Sequence, residues 1–329
     1  MIVRDGPKRP RYPLALIHPL GPLFWRLPLS LRRHLLYLRA LRRWGNFRTP
    51  RLAGEKMQWR IINDRRPLIA LAEDKLASRE HQRIALVDAG LQSVVKIPET
   101  YWVGTDLREL QAIAHSLPQR WVLKPNHSSG RVIFVDSSSE STDWDAAHAI
   151  SSRWLARDEE ELVFGHWAYS QARRLLVVEE YIGDAEATEI KVHTYGGTPE
   201  FLFHSNRMKT GGLYDCLLPD GTRFFPGEGD DRPQSFPAIT DVIRHRALEA
   251  ARAISAPFDE IRTDFHFTNG ELWCSEIAAY TASGLARTTP EYDVLFGSRW
   301  KLPDLNAPDP REAEWRALLQ GTPKGTLQR

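Results

Sequence analysis

A lysine closes an apolar run at Trp121-Val122-Leu123-Lys124, and Pro125-Asn126-His127-Ser128-Ser129-Gly130 follows it. An ammonium at a strand end can neutralise phosphate oxygens. Small residues let the main chain approach a ligand, so the N–H groups from His127 to Gly130 could close over an anion. An ordinary hairpin with an exposed lysine carries the same local pattern. A second cluster is Val177-Val178-Glu179-Glu180-Tyr181-Ile182, where two acids end an apolar strand. Carboxylates there suit ribose hydroxyls, and free backbone beside them can read a purine edge; a solvated strand end would look alike. The third cluster pairs Arg262-Thr263-Asp264 with Glu276 across the turn Asn269-Gly270. Two carboxylates on paired strands offer Mg²⁺ the few protein oxygens it takes, the rest coming from water and phosphates. Two surface acids on a hairpin are the simpler alternative. If the carboxylates converge, their repulsion calls for a shared cation or base.

The elements that position these clusters follow from residue patterns. Arg120–Lys124 and Val132–Val135 read as a strand pair around a polar, turn-rich tip. Leu175–Tyr181 reads as an apolar strand, and Ile190–Tyr195 with Glu200–His204 as a hairpin around Gly196-Gly197. Glu260–Phe267 and Glu271–Ile277 flank Asn269-Gly270, and Tyr101–Val103 is a further short strand. Helices are expected over Leu68–Ala89, ended by Gly90, then Asp106–Ser116, Asp143–Leu155 and Thr240–Ile254. Helices alternating with hairpins predict an α+β fold rather than a doubly wound parallel sheet.

Composition narrows the class. The hydrophobic share of 42% and charged share of 26% fit a soluble globular protein. Cys216 and Cys274 make neither a disulfide framework nor a metal cluster, and fit a reducing cytoplasm. The histidines lack metal-ligand spacing, so no zinc site is expected. No run has the length of a membrane-spanning helix, and no apolar signal-peptide core is read at the start. The net charge of +2 hides +11 over residues 1–51 and −9 over the rest. That asymmetry predicts an acidic partner for the basic segment, such as an anionic membrane or a polyanion. Within Leu29–Trp44, Leu31, Leu35 and Leu38 recur at helical spacing, with Arg32, Arg39 and Arg43 on another face. This predicts a helix that either lies on a membrane or packs its leucines on the body with its arginines in water.

The ordered set resembles the ATP-grasp superfamily, and more narrowly the TupA-like ATP-grasp family of teichuronopeptide and surface-polysaccharide biosynthesis. The strings that carry the resemblance begin with Pro50 and Glu55-Lys56-Met57-Gln58-Trp59, then Asp74-Lys75 with Arg79-Glu80, then Val122 to His127. Glu179-Glu180-Tyr181-Ile182, Glu189-Ile190-Lys191-Val192, Arg262-Thr263-Asp264-Phe265 and Glu276 with Ser283-Gly284 complete them. Together they cover roughly residues 46–303. The resemblance implies an ATP-grasp fold of two α+β lobes: a basic helical segment 1–50, an N-terminal lobe 51–119, a small lobe 120–182, a large lobe 183–303 and a tail 304–329.

It also implies roles. Lys75 and Lys124 would bind ATP phosphates under the loop His127, Ser128, Ser129 and Gly130. Glu179, Tyr181 and Ile182 would lie along adenine, and Glu180, Glu186 or Glu189 would accept from the ribose. Lys191 would sit at the transferred phosphoryl group with Arg262, and Asp264 and Glu276 would hold Mg²⁺. Arg287 would clamp a carboxylate. Many ATP-grasp enzymes have Asn two residues after the metal-binding Glu; here Ala278 stands there and cannot ligate. The activity implied is an ATP-dependent carboxylate–amine ligase, joining an amino acid or peptide to a glycan, sugar acid or small acceptor. It would act in the cytoplasm or at the inner membrane face, with no nucleic-acid partner. A kinase of a hydroxyl acceptor and a non-catalytic nucleotide-binding protein are the alternatives. The segment Ser205–Tyr214, with Asn206, Arg207, Lys209 and Gly211-Gly212, reads as a surface loop or as a lid. Trp102, Trp121, Trp154 and Trp273 read as core or boundary residues, or as a sugar platform.

Overall fold

The computed structural model describes residues 1–5, 21–138, 142–156, 164–183, 187–205, 214–227, 239–322 and 325–328. Its strands are β1 (Ile2–Asp5), β2 (Val95–Lys96), β3 (Thr100–Gly104), β4 (Arg120–Pro125), β5 (Arg131–Asp136) and β6 (Leu176–Glu180), followed by β7 (Thr188–Tyr195), β8 (Thr198–Ser205), β9 (Asp215–Leu217), β10 (Glu260–Thr268) and β11 (Glu271–Ala278). They form two sheets, ordered β1-β5-β4-β6-β3 and β2-β11-β10-β7-β8-β9. All pairings are antiparallel except β2 with β11. The architecture is α+β, as the alternation of helices and hairpins predicts.

The hairpin turns are set locally. Asn269 and Gly270 have φ of 52° and 77°, and Gly196 and Gly197 have 54° and 74°. Positive φ at both central residues gives the turn twist that matches paired strands, and Asn and Gly tolerate it. Along β7 and β10 the side chains then alternate. Ile190, Val192, Ile261 and Phe265 are fully buried, in one core with Ala247, Ala250, Ala251 and Ile254 of the helix Asp241–Ser255. Burying each large aliphatic or aromatic side chain contributes about 1.5–3 kcal/mol. The alternate residues Lys191, His193, Tyr195, Glu260, Arg262 and Asp264 occupy the opposite face. The smaller sheet buries Trp121, Leu123, Ile133, Leu176 and Val178 beside Trp102 and Trp154. Trp102, Trp121, Trp154 and Trp273 are all core residues.

Two helices depart from the periodicity. The run read as one helix over Leu68–Ala89 is two, Pro67–Glu73 and Lys75–Asp88, broken at Asp74. Asp74 is fully buried, caps the second helix through Ala77 N (2.8 Å) and takes two side-chain bonds from Arg173 (2.9 and 2.7 Å). A capping carboxylate competes with the helix backbone and so starts a new helix.

The basic helix Leu29–Leu41 does not pack its leucine stripe on the body with its arginines in water. It packs through Arg33, Tyr37 and Ala40, while Leu31, Leu35 and Leu38 are 40%, 37% and 40% exposed. Arg33 is buried with each of its three nitrogens donating one hydrogen bond: to Gln58 Oε1 (2.7 Å), Phe164 O (3.0 Å) and Ser283 O (2.6 Å). Residues 304–329 include the helix Glu312–Gln320, which buries Trp315 edge-on to His81. No described helix is long and apolar enough to cross a membrane.

Candidate functional site

Lys75 and Arg79 lie one turn apart on the helix Lys75–Asp88, so their side chains share a face. The Lys75 ammonium donates to Ser128 O, and Leu76 N donates to Asn126 Oδ1 (2.9 Å), tying the helix start to the end of β4. Lys124 of β4 and Glu179 of β6 meet across paired strands and form an ion pair. Arg79 takes the other Glu179 oxygen and also bonds Thr100 Oγ1 (2.7 Å). Burial by itself would raise the Glu179 carboxyl; the charges of Arg79 and Lys124 outweigh it and hold the carboxyl at about 2. Lys75, Arg79, Lys124, Glu179 and the buried Glu73 line a small cavity with Glu276 of β11.

On the larger sheet, Lys191, Asp264 and Glu276 form one cross-strand row. Asp264 takes Lys191 Nζ at 2.8 Å and both Arg262 Nε (2.6 Å) and Nη2 (2.7 Å). Burial would raise the Asp264 carboxyl, but Arg262 and Lys191 hold it far below the usual range. Glu189 completes the set, 3.2 Å from Lys191. Asp264 and Glu276 are cross-strand partners, and Lys191 and Arg262 neutralise Asp264. Among the described residues no three His, Cys, Asp or Glu side chains gather as a metal cluster. The donor set still fits a hard cation. Glu276 presents a half-buried carboxylate, and Asp264 presents oxygens that are charge-paired rather than neutral.

Lys191, Arg262 and Arg287 line a second cavity, of about 350 Å³, on the open face of the same sheet. Arg287 is exposed and donates Nε to Ala40 O (3.0 Å). The three expected catalytic cations thus share one space. His193 lines it too, one pair along from Lys191, opposite Arg262. Burial and the Arg262 charge lower the His193 imidazole to about 3, so it is neutral.

Other expected residues are placed differently. His127 and Ser128 are 3% and 0% exposed, with the His127 ring bonded to Trp154 O (3.1 Å), so they are packed structure and not an open flap. Ser129 is half-buried and only Gly130, with φ of 70°, is exposed. Glu179 has both side-chain oxygens committed to the cations Arg79 and Lys124. Glu180 accepts from Glu99 N (3.2 Å), and its own N–H is taken by Glu99 O (2.8 Å). Tyr181 and Ile182 follow β6, half-buried, with Tyr181 edge-on to Phe134. Glu186, Asn206, Arg207, Lys209, Gly211 and Gly212 lie outside the described residues. Sequence reasoning gave no role to Arg79, Glu73 or Arg173. Only Arg79 carried a signal, its four-residue spacing from Lys75.

No family model matches the chain, and no curated protein matches it. Several solved structures are similar to it. D-alanine–D-alanine ligase from Bacillus anthracis complexed with ATP is 13% identical with a TM-score of 0.39, over 70% of this chain and 65% of that one. The purK N5-carboxyaminoimidazole ribonucleotide synthetase in its ADP complex is 12% identical with a TM-score of 0.38, over 62% and 45%. D-cycloserine synthetase DcsG is 19% identical with a TM-score of 0.37, over 71% and 72%. This chain spans less than two thirds of the length of the first two.

Proposed function

We propose that this protein is an ATP-grasp enzyme, an ADP-releasing ligase that joins a carboxylate to an amine. The observation that carries the reading is the meeting of two charged clusters from different sheets. Lys124 belongs to the smaller sheet, Lys75 and Arg79 to the helix Lys75–Asp88 that packs on β11, and Glu276 to the larger sheet, and one small cavity holds them all. The row Glu276, Asp264 and Lys191 with Arg262 then leads to the larger cavity.

A triphosphate fits this polarity. Lys75 and Lys124 neutralise its oxygens, and Glu179 keeps Lys124 and Arg79 oriented. Lys191 and Arg262 face the transferred phosphoryl group, where charge builds in the transition state. Glu276 and Asp264 would hold Mg²⁺, which would supply further charge neutralisation at the phosphates. The γ-phosphoryl group moves to the substrate carboxylate oxygen as ADP leaves. The amine nitrogen then bonds to the acyl carbon, the acyl–oxygen bond to phosphate breaks, and the amine loses a proton. The larger cavity shelters the acyl phosphate from water. The TupA-like sequence strings support a cell-surface glycan or sugar acid as acceptor. The +11 charge of residues 1–51 and the exposed Leu31, Leu35 and Leu38 support a peripheral place at an anionic membrane face.

Incubation with ATP, Mg²⁺ and panels of carboxylates and amines tests the reading. Expected is ADP with one inorganic phosphate per amide formed. Phosphate retained on an organic product would identify a kinase, and no ADP with any panel would overturn both.

A further inference from the structure

The cavity of about 350 Å³ beside Lys191 and Arg262 is asymmetric in its chemistry. At one end stand Lys191, Arg262 and Arg287. Moving along β7 by two residues, about 7 Å, brings His193, and two more bring Tyr195. Phe201 and Phe203 of β8 and Phe296 of the helix Pro290–Arg299 continue this wall. Phe201 stacks on His193 (centroids 4.4 Å, planes at 15°), meets Phe203 nearly edge-on at 5.3 Å and contacts Phe296 at 4.1 Å.

Nε2 of His193 and Oγ1 of Thr281, both buried in this lining, have no hydrogen-bond partner among the described residues. His193 is only 6% exposed, and its Nδ1 lies 3.9 Å from Glu260 Oε1, beyond hydrogen-bonding range. Buried polar atoms are rarely left unpaired, so both call for a polar group from a ligand. Thr281 is held in place by its own turn. Ala282 and Ser283 have φ of 45° and 55°, and Arg33 and Gln58 grip Ser283 O at 2.6 and 3.0 Å. Non-glycine residues in that region are strained, and such strain persists where surroundings fix it.

The acids of the lining are already engaged. Asp293 accepts from Arg43 and from Gly54 N (3.0 Å), and Glu260 Oε2 accepts from Arg60 (2.6 Å). A sugar carries hydroxyls around its whole rim and would leave several against the phenyl wall. An amphiphilic ligand, anionic at one end and flat and apolar at the other, matches both ends.

We propose that this cavity binds an amino-acid-sized carboxylic acid carrying a planar aromatic ring, with the carboxylate at Arg287, Arg262 and Lys191 and the ring against Phe201 and Phe203. The proposal rests on the ligase reading for the carboxylate's role as phosphoryl acceptor, while the recognition itself stands on the cavity. Calorimetric titration of the full chain with phenylalanine, alanine and glucuronate tests it, each with and without Mg²⁺ and a non-hydrolysable ATP analogue. Phenylalanine is expected to bind at least about tenfold tighter than the other two. Phe203→Leu should cut that preference about three- to tenfold. Arg287→Gln, at an exposed position, should weaken phenylalanine binding while nucleotide affinity stays unchanged. Equal or tighter binding of glucuronate or alanine, no binding of phenylalanine, or an unaltered preference in Phe203→Leu would overturn the proposal. Loss of nucleotide binding alone, with phenylalanine still bound, would instead sink the ATP reading.

Discussion

Lys124 and Glu179 meet across β4 and β6, and Arg79 closes on the second carboxylate oxygen from a helix between the sheets. One buried anion thus orients two cations, and removing it leaves both uncompensated. Glu179→Ala is expected to destabilise the fold by about 3–5 kcal/mol in urea unfolding and to weaken ATP binding. A variant as stable as wild type would show that the pair is not structural.

The same carboxyl sets an acid limit. It is held at about 2, below the ordinary 4.5, so its stabilisation is complete above pH 4.5 and is lost as pH falls towards 2. The loss amounts to about 3 kcal/mol. His193, lowered from 6.5 to about 3 by burial and Arg262, has the same sign over a higher window. Unfolding free energy should therefore fall steadily below pH 6.5. His193→Gln should flatten the slope between pH 6.5 and 3, and Glu179→Gln the slope below 4.5. Unchanged slopes in both variants would refute these assignments.

Glu276 and Asp264 should separate function from stability. Among the described residues the Glu276 carboxylate makes no ion pair, whereas Asp264 neutralises Arg262 and Lys191. Glu276→Ala should abolish ADP release while unfolding changes by less than about 1 kcal/mol. Asp264→Asn should lose activity and also about 3 kcal/mol of stability. Chelation of divalent ions should stop turnover, and Mg²⁺ should restore it. Full activity of Glu276→Ala would remove this residue from the site.

Arg33 offers a test of which face the basic helix buries. Arg33→Leu removes the donor to Phe164 O and Gln58 Oε1 and one of the two donors to Ser283 O, which keeps Gln58 Nε2. A cost of about 2–4 kcal/mol is expected, with turnover impaired through the Thr281–Gly284 turn. Leu31→Gln, on the exposed stripe, should shift stability by less than about 0.5 kcal/mol. Thermal melts of the two variants decide it, and a larger loss for Leu31→Gln would reverse the orientation.

The sequence by itself determined the hairpins and the class of the fold. Asn269-Gly270 and Gly196-Gly197 are local turn chemistry, and the alternation along β7 and β10 is a period that neighbouring residues carry. Those strands in turn fix Lys191, Arg262 and Asp264 on one face. Tertiary structure decided what each of these groups meets. The leucine stripe of Leu29–Leu41 has helical periodicity, yet Arg33 is the buried residue because three acceptors from distant segments surround it. Asp74 breaks a helix through Arg173, 99 residues away, and Glu179 binds Arg79, 100 residues away. His127, on a loop of small polar residues, is buried under Trp154 O. Periodicity reports which side chains share a face. The cost of burying a charge depends on partners that only the folded chain brings within hydrogen-bonding distance.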